Sequence, residues 1–165
     1  MARILIIYDS KTGHTARMAR AVAQGARKIR GVDVVVKRVQ KASLGDLLKA
    51  DAIVLGSPTY YGQMSARLKA FIDQSVKIHG QLEGKVGAAF TSSGGTATGA
   101  ETTLLSILQA MLIHGMIVQG RAKDKHYGAA AVESPGKKEL ESCHELGRRV
   151  ATLALNLKGQ AKDKS

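Results

Sequence analysis

Several things are scarce in this sequence. It has one cysteine, Cys143, no tryptophan, 4% aromatic residues, and 13 acidic residues against 25 basic ones. A single cysteine excludes an internal disulfide framework and any zinc or iron–sulfur site built from several cysteines. So few aromatics leave little for the stacking platforms of single-strand nucleic-acid binders. The basic residues are dispersed, with no block of five or six, so the net charge of +12 reads as solvated helix faces. No apolar run approaches a membrane span, and "ILII" near the N-terminus is too short for a signal-peptide core. These absences predict a cytoplasmic protein with no membrane insertion, no nucleic-acid partner and no multi-ligand metal site.

What is present is strand–helix alternation. The chain has 165 residues, 44% of them hydrophobic, which suits one domain over residues 1–157 with a polar tail over 158–165. "RILIIYDS", "VDVVVKRV", "ADAIVLGS", "GKVGAAFTSS" and "GMIVQG" read as five strands. Between and after them, apolar residues recur at helical spacing over residues 13–30, 64–79 and 99–114. A polar loop of about fifteen residues precedes a last helix that opens at Ser134-Pro135. Nearly all-apolar strands imply a sheet covered on both faces. The pattern predicts an α/β fold: a doubly wound, five-stranded parallel sheet in the order 2-1-3-4-5 with helices on both faces.

In such a sheet, ligands bind beyond the carboxyl ends of the strands. The first loop there, "DSKTGHT", leads into a helix N-terminus. Free backbone N–H groups favour an anion, Ser10, Thr12 and Thr15 add hydroxyls, and Gly13 lets the backbone come close. The phosphate-binding patterns of ATPases and of dinucleotide-binding folds are both missing. Strand 2 ends on Lys37 and Arg38 rather than on an acid for a ribose. In the second loop, "SPTYYG", a flat ring would stack on Tyr60 or Tyr61. The third, with Gly94, Gly95 and Gly99 among Ser and Thr, leaves backbone to bond the polar edge of such a ring. One phosphate, one flat ring and a polar linker describe flavin mononucleotide (FMN) better than a nucleotide.

"ILIIYDSKTGHTARMARAVAQGA", "ADAIVLGSPTYYGQMSARLKAFID", "FTSSGG", "HGM" and "HYGA" resemble, in order and across almost the whole chain, the WrbA-type NAD(P)H:quinone oxidoreductases of the flavodoxin-like superfamily. The resemblance implies FMN held by its phosphate at Ser10, Thr12, Gly13, His14 and Thr15. It implies a ring bed from Pro58, Thr59, Tyr60, Tyr61 and Gly62, and edge contacts from Ser92, Ser93, Gly94 and Gly95. It implies a histidine beside the flavin at His114, a candidate catalytic residue, and a tyrosine at Tyr127. The chain is shorter than typical members, lacks their tryptophan after strand 4 and has an abbreviated strand-5 loop. The implied activity is hydride transfer from NADH or NADPH through FMN to a quinone-like acceptor. The alternative is a one-electron flavodoxin serving a redox protein partner. A homo-oligomer, dimer or tetramer, is the matching assembly.

Overall fold

The computed structural model describes residues 1–162. Six strands form one sheet: β1 (Ala2–Tyr8), β2 (Val32–Arg38), β3 (Ala52–Pro58), β4 (Val86–Ser93), β5 (Ile117–Val118) and β6 (Ala129–Val132). The order is β2-β1-β3-β4-β5, all pairs parallel, as the alternation predicts. The fifth position is filled twice. β5 pairs the first residues of β4, Val86 and Gly87, and β6 pairs the last four, Phe90 to Ser93. The segment between them interrupts one edge strand. It is tied back by Arg149, which donates to the carbonyls of Gln119 (3.3 Å) and Gly120 (2.9 Å). The sequence reading takes β6 for loop, because "AAAV" has little intrinsic strand preference and only its pairing with β4 makes it a strand.

The period-two alternation of the strands divides the core into two layers. Ile4 and Ile6 of β1, Val54 of β3 and Phe90 of β4 face α1 (His14–Arg27) and α5 (Lys137–Lys162). Leu5 and Ile7 of β1 and Ile53 and Leu55 of β3 face the other way, toward α2 (Leu44–Lys49), α3 (Ala66–Gln74) and α4 (Ala100–Ile113). α1 and α5 cross closely because Gly25 and Gly147 have no Cβ; one added at either would run into the backbone carbonyl of His144 or of Val22. α2 goes unnoticed in the sequence reading. Its signature is a capping box, in which the Ser43 side chain accepts from Asp46 N–H and the Asp46 carboxylate accepts from Ser43 N–H. α5 runs five residues past Leu157, through the first part of the expected tail, and residues 163–165 lie outside the described residues.

Candidate functional site

The loops after β1, β3, β4 and β6 meet at the carboxyl end of the sheet. They enclose an open cleft of about 230 Å³ lined by Lys11, Thr12, His14, Thr15, Pro58, Thr59, Tyr60, Ser92, Ser93, Gly94 and Glu133.

The first loop is held in shape by its own serine. Ser10 Oγ accepts from the N–H groups of Gly13 and Ala16, both at 3.2 Å, and Ser10 N–H donates to Asp9 Oδ1 at 3.0 Å. Gly13, with φ 98°, turns the chain into α1 and, as its N-cap, offers no side chain, so of the first-turn N–H groups only Ala16 N–H is taken by a side chain, that of Ser10. Among the described residues, the N–H groups of Lys11, Thr12, His14 and Thr15 meet no protein acceptor. Nothing lies within 4 Å of where a Gly13 Cβ would stand. Converging N–H groups at a helix start form an anion site. Thr15 and Ser92 close it from below, their buried hydroxyls 2.8 Å apart.

The second loop is a tight hairpin. Tyr60 N–H donates to Gln63 O and Gln63 N–H to Tyr60 O, at 2.9 and 3.0 Å. Tyr61 and Gly62 take φ of 51° and 72°, the two left-handed central positions of a primed turn. That geometry separates the two tyrosines. Tyr60 lines the cleft, whereas Tyr61 is fully exposed at the tip. Of the expected ring bed, the hairpin thus brings Tyr60 to the cleft wall, with Tyr61 at the tip and Gly62 in the turn. The hairpin rests on the start of α4, where a Cβ on Gly99 would stand 2.5 Å from Gly62 Cα. Its base is fixed by one backbone bond, Thr59 N–H donating to the Ser92 carbonyl at 2.7 Å, and by one hydroxyl pair, Thr59 and Thr91, 2.9 Å apart.

Of the remaining candidates, Ser10, Gly13 and Gly95 shape the loops around the cleft. Tyr127 sits half exposed before β6 and does not line the cleft. His114 is at the other end of the molecule. α4 starts beside the cleft and its 14 residues carry the chain about 21 Å toward the amino ends of the strands. There His114 Nε2 lies 2.7 Å from Ser75 Oγ, beside a small apolar cavity of about 30 Å³. Burial, and then His79, hold its pKa below the ordinary 6.5. Cys143 is fully buried and its thiol is pushed up to about 12, so it is no nucleophile.

Lys11, the cation of the first loop, lines the cleft, and one lining residue escapes the sequence reading: Glu133, which falls in what reads as a loop. Glu133 follows β6 with φ 52°, and its N–H donates to Ser93 O at 2.7 Å. No group of three or more His, Cys, Asp or Glu side chains that could hold a metal occurs among the described residues. No helix among them is long and apolar enough to cross a membrane.

Comparison with known proteins gives this geometry a context. Residues 41–124 match a family model described as NADPH-dependent FMN reductase. A flavodoxin of Aquifex aeolicus is 40% identical over 159 residues, covering 92% of this chain and 86% of that protein. An NAD(P)H dehydrogenase (quinone) of Archaeoglobus fulgidus is 39% identical over 191 aligned residues, covering 95% of this chain and all of that protein. Among solved structures, a WrbA-like flavodoxin of Agrobacterium tumefaciens superposes with a TM-score of 0.80 at 28% identity, over 94% of this chain and 99% of that one.

Proposed function

This chain belongs to the flavodoxin-like family, in its WrbA-type branch, and on that premise we propose that the cleft holds FMN and serves an NAD(P)H:quinone oxidoreductase. The observation that carries this reading is the start of α1, where four N–H groups have no acceptor among the described residues, beside a tyrosine-walled slot. The residues present fit the group. The N–H groups of Thr12, His14 and Thr15 would hold its phosphate, with the Ser10 hydroxyl hydrogen and the Thr12 hydroxyl as further donors. Pro58, Thr59 and Tyr60 on one side and Ser92, Ser93 and Gly94 on the other would hold its ring. Bound FMN supplies the chemistry, accepting hydride from NADH or NADPH and passing electrons to a quinone-like acceptor.

The chain's own part is binding and field. Lys11 stands in the cleft, and the guanidinium groups of Arg38 and Arg67 reach the adjoining segment, 3.4 Å from Ser10 O and 3.7 Å from Asp9 Oδ1. A cation about 8 Å from a developing negative charge contributes roughly 2 kcal/mol at an effective dielectric of about 20, less once screened. Asp9 and Glu133 offset part of this. The net positive field stabilises a reduced, anionic ring and favours an acceptor of hydride over a low-potential carrier. The carrier reading rests on the Aquifex flavodoxin. Steady-state oxidation of NADH and NADPH with a quinone, beside a potentiometric titration, separates the two. Absence of turnover with both donors, together with a low potential, would favour the carrier.

Two finer points join the proposal. Residues 102–120 contain no Asp, Glu, Lys or Arg in a chain of net charge +12, and expose Leu112, Ile113 and Ile117. A self-associating surface in so basic a protein needs such a charge-free face, which supports a homo-oligomer. A cytoplasmic location is consistent with one buried thiol.

A further inference from the structure

Nothing in the sequence alone separates NADPH from NADH, but folding brings two arginines together beside the cleft. We infer that Arg38 and Arg67 bind the 2′-phosphate of NADPH, and that the groove beside Arg67 takes the adenosine bearing it. The inference rests on the hydride-donor reading above and names which donor the chain selects.

Arg38 ends β2, and Arg67 lies in the first turn of α3. They reach two adjacent residues that follow β1, one each. Arg67 Nη1 is 3.7 Å from Asp9 Oδ1, and Arg38 Nη1 donates to Ser10 O at 3.4 Å. The Arg38 guanidinium also stands 5.8 Å from the centre of the Tyr8 ring, so both arginines are positioned before any ligand arrives. Each guanidinium carries five N–H donors. These contacts engage one nitrogen apiece, and among the described residues neither arginine has another polar partner. Arg67 has the Asp9 carboxylate beside it, whereas Arg38 bonds only a backbone carbonyl and keeps its charge uncompensated for a phosphate dianion. The planar fork of arginine matches that group better than lysine does.

The groove supplies the rest of the recognition. It has a volume of about 320 Å³ and runs from Arg67 between α3 and the segment Val39–Ala42. That volume is near the lower end of the roughly 300–1,000 Å³ of small-molecule sites. Val39 and Phe71, both buried, give an apolar floor, and the Gln40 and Gln74 amides stand at its sides. A flat apolar floor with amides at its edge suits a purine. The groove also lies on the right path. The chain that builds the tyrosine hairpin continues through Ser65 directly into α3, so Arg67 stands between the cleft and the groove.

The test is isothermal titration of the FMN-loaded protein with adenosine 2′,5′-bisphosphate, adenosine 5′-monophosphate and inorganic phosphate. None carries a nicotinamide, so the readout does not depend on hydride transfer. The bisphosphate should bind about tenfold or more tighter than the monophosphate, which lacks only the 2′-phosphate. Arg38→Gln and Arg67→Gln should each remove about tenfold of that difference and leave monophosphate binding alone. In turnover, both variants should raise KM for NADPH about tenfold relative to KM for NADH. Equal binding of the two adenosine nucleotides, or an unaltered difference in both variants, overturns the inference. Inorganic phosphate binding as tightly as the bisphosphate makes the pair a plain anion site and overturns the adenosine assignment. Should Arg67→Gln melt early, Arg38→Gln decides, since its side chain is exposed. If neither dinucleotide is oxidised while the titrations behave as expected, the hydride-donor reading fails and the arginine site stands.

Discussion

The two ends of the sheet treat their polar groups in opposite ways. At the amino ends of the strands the charges are paired within the protein. Asp51 accepts from Arg3 N–H and from Lys158 Nζ, each at 2.7 Å, and Lys85 Nζ donates to the carbonyls of Leu48 (3.0 Å) and Ala50. At the carboxyl ends, N–H groups are left without acceptors, and three non-glycine residues hold left-handed backbone: Tyr61, Ala97 and Glu133, with φ of 51°, 55° and 52°. Such a conformation costs roughly 1–2 kcal/mol per residue. One end therefore supports the fold, and the other holds strain and open donors that a ligand can satisfy.

The comparison breaks most visibly if the ligand end does not gain stability on binding. At an FMN concentration 100 times Kd, the native state gains about 2.7 kcal/mol, which for a chain of this size raises Tm by roughly 5–10 °C. Riboflavin at the same concentration should give a much smaller rise, because it lacks the group the four N–H donors await. Scanning calorimetry with both ligands reads the difference, and equal shifts would mean that the loop is only a helix start.

The opposite end is probed by Asp51→Ala. It strips Lys158 and Arg3 N–H of their acceptor and leaves Lys85 and Lys158 without a counter-charge. A cost of about 1–3 kcal/mol in urea unfolding is expected, with FMN affinity unchanged. The wild type should also show the pair in acid. Burial opposes ionisation of Asp51, but the hydrogen bonds from Lys158 and Arg3 N–H outweigh it, and the carboxyl pKa lies below its ordinary value. The folded state thus holds its proton less tightly than the unfolded chain does. The contribution is complete above about pH 4 and is lost as pH falls through the folded pKa. A variant that melts earlier while keeping the same slope below pH 4 would show that another carboxylate carries the acid response.

Within the ligand end, the primed turn makes a sharper division between neighbours. Tyr60→Ala should weaken FMN roughly 3–10-fold, the loss of one ring contact, while Tyr61→Ala should leave affinity within error. Fluorescence titration of the two variants measures this. A comparable loss at Tyr61 would mean that the hairpin refolds around the ligand.

How much of this the sequence discloses depends on whether the information is local. The loops Ser10–Thr15 and Pro58–Tyr60 are legible because hydroxyls, a glycine and a tyrosine between strand and helix signify binding wherever they occur. Strand order follows from alternation alone. What is lost depends on distance along elements. His114 carries the motif of a flavin-side histidine, and only the course of α4 shows that it stands at the far side of its own sheet. Tyr61 looks equivalent to Tyr60 until the left-handed turn places them apart. β6 and Glu133 become visible only through the pairing of four weak residues with β4. The Arg38–Arg67 pair joins a strand end to a helix start 29 positions later, and nothing in either local sequence announces the other.

The smallest effect tests whether the two ends are independent. Ser75 Oγ donates its one hydrogen to Ile72 O at 2.6 Å, so His114 Nε2, 2.7 Å from the same oxygen, must carry the imidazole hydrogen. Nδ1 is then bare, buried and, among the described residues, without a hydrogen-bond partner. A second proton there would be a charge with no acceptor, with the His79 ring centred 5.6 Å away. Burial first, and His79 second, therefore keep His114 neutral to lower pH than in the unfolded chain. The sign follows: the unfolded state takes up the proton more readily, so this contribution is complete above about pH 6.5 and declines as pH falls through the folded pKa. Between pH 7.5 and 5.5, Tm should fall by no more than about 2–4 °C. His114→Gln, which keeps a donor for Ser75 and cannot titrate, should flatten that decline. It should leave FMN affinity and the rate of quinone reoxidation as in the wild type, because α4 holds the residue a full helix length from the cleft. An unchanged acid slope in the variant would assign the titration elsewhere. A slowed reoxidation at unaltered Tm would show that the far end of α4 reaches a flavin after all, through a neighbouring copy, and would end the separation of fold-supporting and ligand-binding ends.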